Sequence, residues 1–281
     1  MNLTRISEIK PLMERHGFRF SKSLGQNFLI NDDIPRRIVE NAGIDQNTSV
    51  LEIGPGIGCL TCRLAEKAAK VTAVEIDRRL LPVLEETLSA HDNIEIINAD
   101  ILKIDVSELC AARGITAVCA NLPYYITTPV IMRLLESNTS IKTFTVMVQK
   151  EVARRFTSEP GTKEYGAITL AVNYYSRPEI LFDVSPGNFI PAPNVFSSVV
   201  KFTVRSSPRL SCDKKILFRI IKAGFSKRRK TLANALFEEL KEDKDDIVKK
   251  IEEAGFPADI RAEKLSLEDF GRLTEVFCFY K

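Results

Sequence analysis

Asn121-Leu122-Pro123-Tyr124 places a side-chain amide, a backbone carbonyl beside a proline and an aromatic ring in four successive positions. An amino group on a heteroaromatic base such as adenine is a poor nucleophile, because its lone pair is delocalised into the ring. Two acceptors that take both of its hydrogens draw the nitrogen towards sp3 geometry and free that pair. The Asn121 side-chain oxygen and the Leu122 carbonyl are two such acceptors, with Pro123 stiffening the turn. Tyr124 offers a face on which a base can stack, a sequence-tolerant contact worth roughly 1–3 kcal/mol. A sulfonium methyl donor leaves as a neutral group, so no strong base is needed and the work is mainly positioning of an in-line transfer. A proline turn with aromatic neighbours also satisfies N-x-P-Y for purely structural reasons, so the place of the tetrad in the fold decides between the two.

Glu52-Ile53-Gly54-Pro55-Gly56-Ile57-Gly58 follows a short apolar run and opens a helical one. Glycines there allow a tight turn and close approach of a ligand to the backbone. A dinucleotide site wants G-x-G-x-x-G, and its third glycine would fall on Cys59. The observed G-x-G-x-G suits a ligand with no pyrophosphate to seat. Glu75 ends the next apolar run, where a carboxylate accepts from both hydroxyls of a ribose. Asp100 ends the one after that, where it can accept from an adenine amino group. Either acid alone reads as a helix cap; glycines, Glu and Asp at three successive strand ends together favour a nucleoside pocket.

Phe189-Ile190-Pro191-Ala192-Pro193 reads as an extended loop, its prolines at alternate positions. On this reading Phe189 is a second aromatic wall, and a base clamped between it and Tyr124 must be splayed out of its stack.

These residues need a frame that brings strand ends together. Residues 34–41 read as a helix closed by Gly43, 50–53 as a strand, 59–70 as a helix, and 71–74 as a strand ending at Glu75. A helix over 80–90 holds Pro82 in its first turn; strands follow at 94–97, 116–120 and 143–149, then a helix at 150–156. Strands alternating with helices imply βαβ units, a mostly parallel sheet and ligands at the strand C-terminal edge. Residues 157–163 read as a mobile loop, the apolar run 167–175 fits helix or strand with helix preferred, and 195–204 reads as a late strand. Composition changes near Ser206-Ser207-Pro208, and four helices follow at 214–223, 231–240, 244–254 and 266–277. The expected architecture is α/β, a Rossmann-like sheet with helices on both faces (1–206), plus a small all-helical C-terminal domain (207–281).

A chain of 281 residues can bury a sizeable core, and a net charge of +3 is too small by itself to demonstrate a nucleic-acid partner. No apolar run has the length of a membrane span, and 1–18 has neither an apolar signal core nor the acid-free character of a transit peptide. A cytoplasmic location is expected, with its six cysteines reduced. Cys59 and Cys62 form a C-x-x-C, but with no second pair and only His16 and His91 besides they read as small residues on a helix, and no metal is expected.

With Ser23-Leu24-Gly25-Gln26-Asn27-Phe28-Leu29, Val74-Glu75-Ile76-Asp77, Asn98-Ala99-Asp100, Gln149-Lys150-Glu151-Val152-Ala153 and 189–197 in this order and spacing, the chain resembles the KsgA-type ribosomal RNA adenine N6,N6-dimethyltransferases over essentially its whole length. The resemblance implies a class I S-adenosylmethionine methyltransferase that dimethylates two adjacent adenines in the 3′-terminal hairpin of 16S ribosomal RNA during assembly of the 30S particle. It further implies cofactor contacts from Asn27, Leu29, Gly54, Gly56, Glu75, Ile76, Asp100, Ile101 and Asn121, with 1–30 contributing to that site. The macrolide-resistance methylases share the tetrad but act on large-subunit RNA; Phe189-x-Pro-x-Pro and the helical C-terminus resemble the small-subunit branch.

Lys222 and Lys227-Arg228-Arg229-Lys230, with Lys150 and Arg154-Arg155 and with Arg15, Arg19 and Lys22, form the basic clusters expected to hold RNA phosphates. The alternating charges of 241–250 read as a solvated face. The partner expected is ribosomal RNA in an immature 30S particle, bound by a monomer. Two rival classes remain open on sequence: an assembly factor that binds without catalysis, and a nicotinamide-dependent oxidoreductase.

Overall fold

The apolar runs that end in glycine, acid or asparagine assemble into one sheet in a computed structural model that describes residues 2–18, 20–21, 24–137, 139–227 and 229–279. The strands are β1 (Phe28–Leu29), β2 (Ser49–Ile53), β3 (Lys70–Glu75), β4 (Ile94–Asn98), β5 (Ile115–Asn121), β6 (Thr143–Gln149), β7 (Ser176–Val184), β8 (Phe189–Ile190) and β9 (Ser197–Val204). The helices are α1 (Ile6–Arg15), α2 (Asp33–Ala42), α3 (Cys59–Ala65), α4 (Leu81–Thr87), α5 (Val106–Arg113), α6 (Thr127–Glu136), α7 (Lys150–Thr157), α8 (Ala167–Tyr175), α9 (Lys214–Gly224), α10 (Leu232–Leu240), α11 (Lys244–Glu253) and α12 (Leu267–Phe279).

Two compact units divide the chain: 1–153 with 178–204, and 154–177 with 205–281. In the first, the sheet order is β4-β3-β2-β5-β6-β9-β7. β4, β3, β2, β5 and β6 run parallel, and β9 returns antiparallel to β6. β2 and β5 are neighbours, and the connection from β2 runs to β3 on one side while that from β5 runs to β6 on the other. This is the switch point at whose C-terminal crevice open α/β sheets bind ligands. Ile34, Ile38, Leu60 and Leu64 of α2 and α3 pack with Val50, Val71 and Cys119 of the sheet. Ile9, Leu12 and Met13 of α1 pack with Leu80, Val83 and Leu84. Gly43 closes α2 at φ 72°, as its position predicts, and Pro82 sits in the first turn of α4.

The second unit is helical, its core formed by Leu170 and Tyr174 of α8 with Leu217, Leu236, Ile251, Phe270 and Leu273 of α9 to α12. The break expected at 206 falls between 204 and 205, and 154–177, assigned from sequence to the first domain, belongs to the helical unit. Non-local bonds pin this segment: the Gly161 N–H donates to the Glu263 carbonyl at 2.7 Å and the Tyr165 hydroxyl to the Leu265 carbonyl at 2.7 Å. The stretch 157–163 is therefore tied rather than loose. Lys250 is a second correction: expected on a solvated face, it is 8% exposed, 2.8 Å from Glu242 and over the Phe277 ring. No helix among the described residues is long and apolar enough to cross a membrane.

Candidate active site

Asn121 ends β5 opposite Met147 of β6, and the chain then turns at Leu122-Pro123. The Leu122 N–H donates to the Met147 carbonyl at 3.2 Å, which ties the turn to the sheet. Among the described residues no backbone N–H reaches the Leu122 carbonyl, so it remains an acceptor. The Asn121 amide NH2 donates to the Asn27 carbonyl at 3.1 Å. With its donor end occupied, Asn121 offers its oxygen as the second acceptor. The Tyr124 hydroxyl shares a 2.8 Å hydrogen bond with the buried Ser197, which fixes the ring; burial pushes the phenol pKa up. The tetrad thus has the two acceptors and the fixed ring that amino-group activation requires.

The tetrad shares one cavity with the glycine loop and both acids. Asn27, Leu29, Gly54, Gly56, Glu75, Ile76, Asp100 and Ile101 line it together with Asn121, Leu122, Pro123 and Tyr124. Gly56 has φ 62°, and a Cβ there would lie 3.1 Å from the Phe28 ring, so a side chain would be strained in this turn against the N-terminal segment. Glu75 is 4% exposed and accepts from the N–H groups of Asp77 (2.8 Å) and Gly56 (3.3 Å). Those bonds fix its carboxylate yet leave lone pairs on each oxygen. Burial raises its pKa against the lowering effect of these bonds. Asp100 accepts from the Leu102 N–H at 3.0 Å, a bond that fixes a turn rather than a helix start, and its side chain lines the cavity.

Glu52 also lines the cavity. It is 1% exposed, and its Oε2 has no hydrogen-bond partner among the described residues. Burial pushes its pKa up to about 8, with the neighbouring Thr61 hydroxyl opposing the rise and the charge of Glu75 adding to it. A buried carboxyl with an unused oxygen in a ligand cavity matches a cationic ligand.

Phe189 departs from its expected role. Its ring is 3% exposed, packs in the core with Leu29 and Val199, and does not line the cavity. The reason is the two-stranded pairing of β8 with β1, Leu29 opposite Phe189, which turns the ring inward. The same pairing brings the N-terminal segment over the site. Gly25 lies against Pro123 and Tyr125. Gln26 donates from Nε2 to Asp77 Oδ2 at 2.8 Å, latching the segment to the turn after β3. Spacing in the sequence carries no sign of that latch. We expect Gln26→Ala to raise the KM for S-adenosylmethionine several-fold with a smaller change in kcat, measured by steady-state kinetics.

The ribosomal RNA adenine dimethylase profile matches residues 17–277. The chain belongs to the ribosomal RNA adenine dimethylase family. A ribosomal RNA small subunit methyltransferase A from Alkaliphilus metalliredigens is 47% identical, over 96% of each chain. One from Streptococcus thermophilus is 47% identical over 98% of each. Among solved structures, a dimethyladenosine transferase from Plasmodium falciparum superposes with a TM-score of 0.77 at 25% identity, covering 89% of this chain and 97% of that one. The 23S rRNA methyltransferase ErmE gives 0.68 at 30% identity, covering 89% and 99%. The dimethylase fold, a seven-stranded α/β sheet with a helical C-terminal part, is the one this chain adopts.

The remaining dimethylase residues singled out in the sequence lie in the helical unit. Arg154, Lys222, Lys227, Arg229 and Lys230 are exposed there, Lys230 paired with Glu238, while Arg228 lies outside the described residues, as do Arg19, Lys22 and Ser23. Lys227 and Lys230 line a cavity with Lys163 and Arg261. Cys59 and Cys62 open α3, and the Cys59 thiol donates to the Leu3 carbonyl at 2.9 Å.

Proposed function

We propose that this chain transfers methyl groups from S-adenosylmethionine to the N6 amino groups of two adjacent adenines in the 3′-terminal hairpin of 16S ribosomal RNA, in the 30S particle during its assembly. The observation that carries the reading is the shared cavity: acceptors for an amino group and a nucleoside-binding set open onto one space. The cofactor fits the residues present, because it bears a sulfonium and an ammonium charge and the cavity holds two buried carboxyls, Glu52 and Glu75. Glu75 would hold the ribose hydroxyls, Asp100 the adenine amino group, and Ile76 and Ile101 the faces of that ring. When bound, the cofactor supplies an electrophilic methyl group whose leaving group departs uncharged.

The chain's own part is to orient and to activate. Asn121 Oδ1 and the Leu122 carbonyl take the two amino hydrogens, and Tyr124 stacks on the target base. The target nitrogen, held by these acceptors, would take the methyl group that the cofactor supplies, and its surplus proton would leave to solvent. After one methyl is added, one hydrogen remains for one of the two acceptors, which permits the second transfer. The exposed basic residues of the helical unit would hold RNA phosphates in a salt-dependent manner.

Support for the small-subunit branch is the 47% identity over full length to enzymes named for that subunit, against 30% to the large-subunit enzyme. The test is mass spectrometry of unmethylated 30S particles incubated with the protein and S-adenosylmethionine. A gain of four methyl masses in the 3′-terminal fragment of 16S RNA is expected, and no gain would overturn the reading. A binding factor without catalysis would hold the particle and add nothing.

A further inference from the structure

The segment that buries Phe189 exposes a different aromatic ring. Phe196 is 50% exposed and Val195 45%, immediately before β9. Ser197 stands opposite Gln149 at the edge of the sheet, two residues beyond the Met147 that pairs with Asn121. The position of Phe196 is therefore tied to the tetrad by covalent and hydrogen-bonded neighbours. Its next residue anchors Tyr124, and its own carbonyl accepts from the Lys150 N–H at 2.9 Å. β9 lies two strands from β5, roughly 10 Å at ordinary strand spacing. Phe196 belongs to none of the buried clusters described above.

A cation accompanies the ring. The Lys150 ammonium lies 5.7 Å from the Phe196 centroid and is held there by an ion pair with Asp183. Asp183 is in turn fixed by the Ser198 hydroxyl at 2.6 Å. An exposed aromatic face beside a positioned ammonium is the arrangement by which proteins hold unpaired nucleotides, the ring stacking on the base and the cation meeting the backbone. Tyr125, 54% exposed, lines the tetrad's cavity.

The geometry points to Phe196 as a stacking platform for a nucleotide of the RNA adjacent to the adenine held at Asn121, with Lys150 meeting its phosphate. This rests on the proposed methylation of RNA. Such a platform acts on substrate hold rather than on the methyl transfer, so Phe196 is a positioning residue and its effect falls on KM.

The test uses the full chain and unmethylated 30S particles, with Phe196→Ala, Phe196→Leu and Phe196→Tyr. Phe196→Ala is expected to raise the KM for the particle, and the particle Kd read by filter binding, about ten-fold, with kcat and the S-adenosylmethionine Kd within two-fold. Phe196→Tyr should restore both constants, and Phe196→Leu should not, because leucine is apolar but cannot stack. An unchanged KM and Kd in Phe196→Ala, or equal rescue by leucine and tyrosine, would overturn the inference. If the wild-type protein adds no methyl groups, the methylation reading fails. The particle Kd series still decides whether Phe196 stacks on RNA, and unchanged thermal melting of the three variants excludes a folding defect.

Discussion

Asn121→Ala is expected to lower kcat about 10²–10³-fold, the size of effect seen when one positioned polar group is removed from a reacting centre. The side-chain oxygen is one of only two acceptors available to the amino hydrogens, and without it the nitrogen lone pair stays in the ring. The substitution also removes the 3.1 Å bond to the Asn27 carbonyl, which helps hold the N-terminal segment over the cofactor. A rise in the S-adenosylmethionine Kd accompanies the loss, but of less than ten-fold, because Gln26-Asp77 and the β1–β8 pairing still hold that segment. Single-turnover methylation separates the two effects. A rate within ten-fold of wild type would show that Asn121 does not activate the amine.

Glu52→Gln is expected to change stability and cofactor binding in opposite directions above pH 8. In the folded protein without cofactor the carboxyl pKa is raised from 4.5 to about 8, so between these values the unfolded chain is ionised and the folded chain is not. The stability contributed by this group is full below pH 4.5 and is lost as pH rises to about 8, a change on the order of a few kcal/mol. Glutamine cannot ionise and removes that slope. Any constant cost of the buried amide drops out when melting curves at pH 5 and pH 8.5 are compared. A cationic ligand reverses the preference, since it stabilises the carboxylate. Wild-type affinity for S-adenosylmethionine should therefore climb as pH rises towards 8, while the variant stays flat and binds roughly ten- to hundred-fold more weakly at pH 8.5. Calorimetric titration across this range reads the effect directly. Parallel pH profiles for the two proteins would mean that Glu52 faces no positive charge.

Both predictions concern residues visible in the sequence, but only one had a visible role. Asn121 could be read from its neighbours, because the acceptors, the turn and the ring are consecutive and the chemistry follows from their types. Glu52 looked like a marker of the glycine loop; its burial and its unused oxygen depend on helices and strands packed around it. The strand ends that carry Gly54, Glu75, Asp100 and Asn121 were legible because alternation of apolar runs with helical periodicity is local and a parallel sheet aligns its C-terminal edges. The pairing of Phe28–Leu29 with Phe189–Ile190 was not legible, because two-residue strands carry no period and their partners lie far apart in the chain. That one pairing buries Phe189 and places Asn27 beside Asn121.

The division of the chain shows the same limit. The composition change near 206 marked the last boundary within two residues, yet nothing local reveals that 154–177 packs its apolar face with α9 to α12. The sequence by itself determined the acceptors and ring of the tetrad, the parallel sheet beneath it and the acids at its strand ends, since each depends on residue type and short-range spacing. The tertiary structure alone decided which aromatic ring faces water, which carboxyl is left unpaired in the cavity and which segment closes over it. Those outcomes are set by contacts between residues distant in sequence, where burial and partner geometry outweigh local preference.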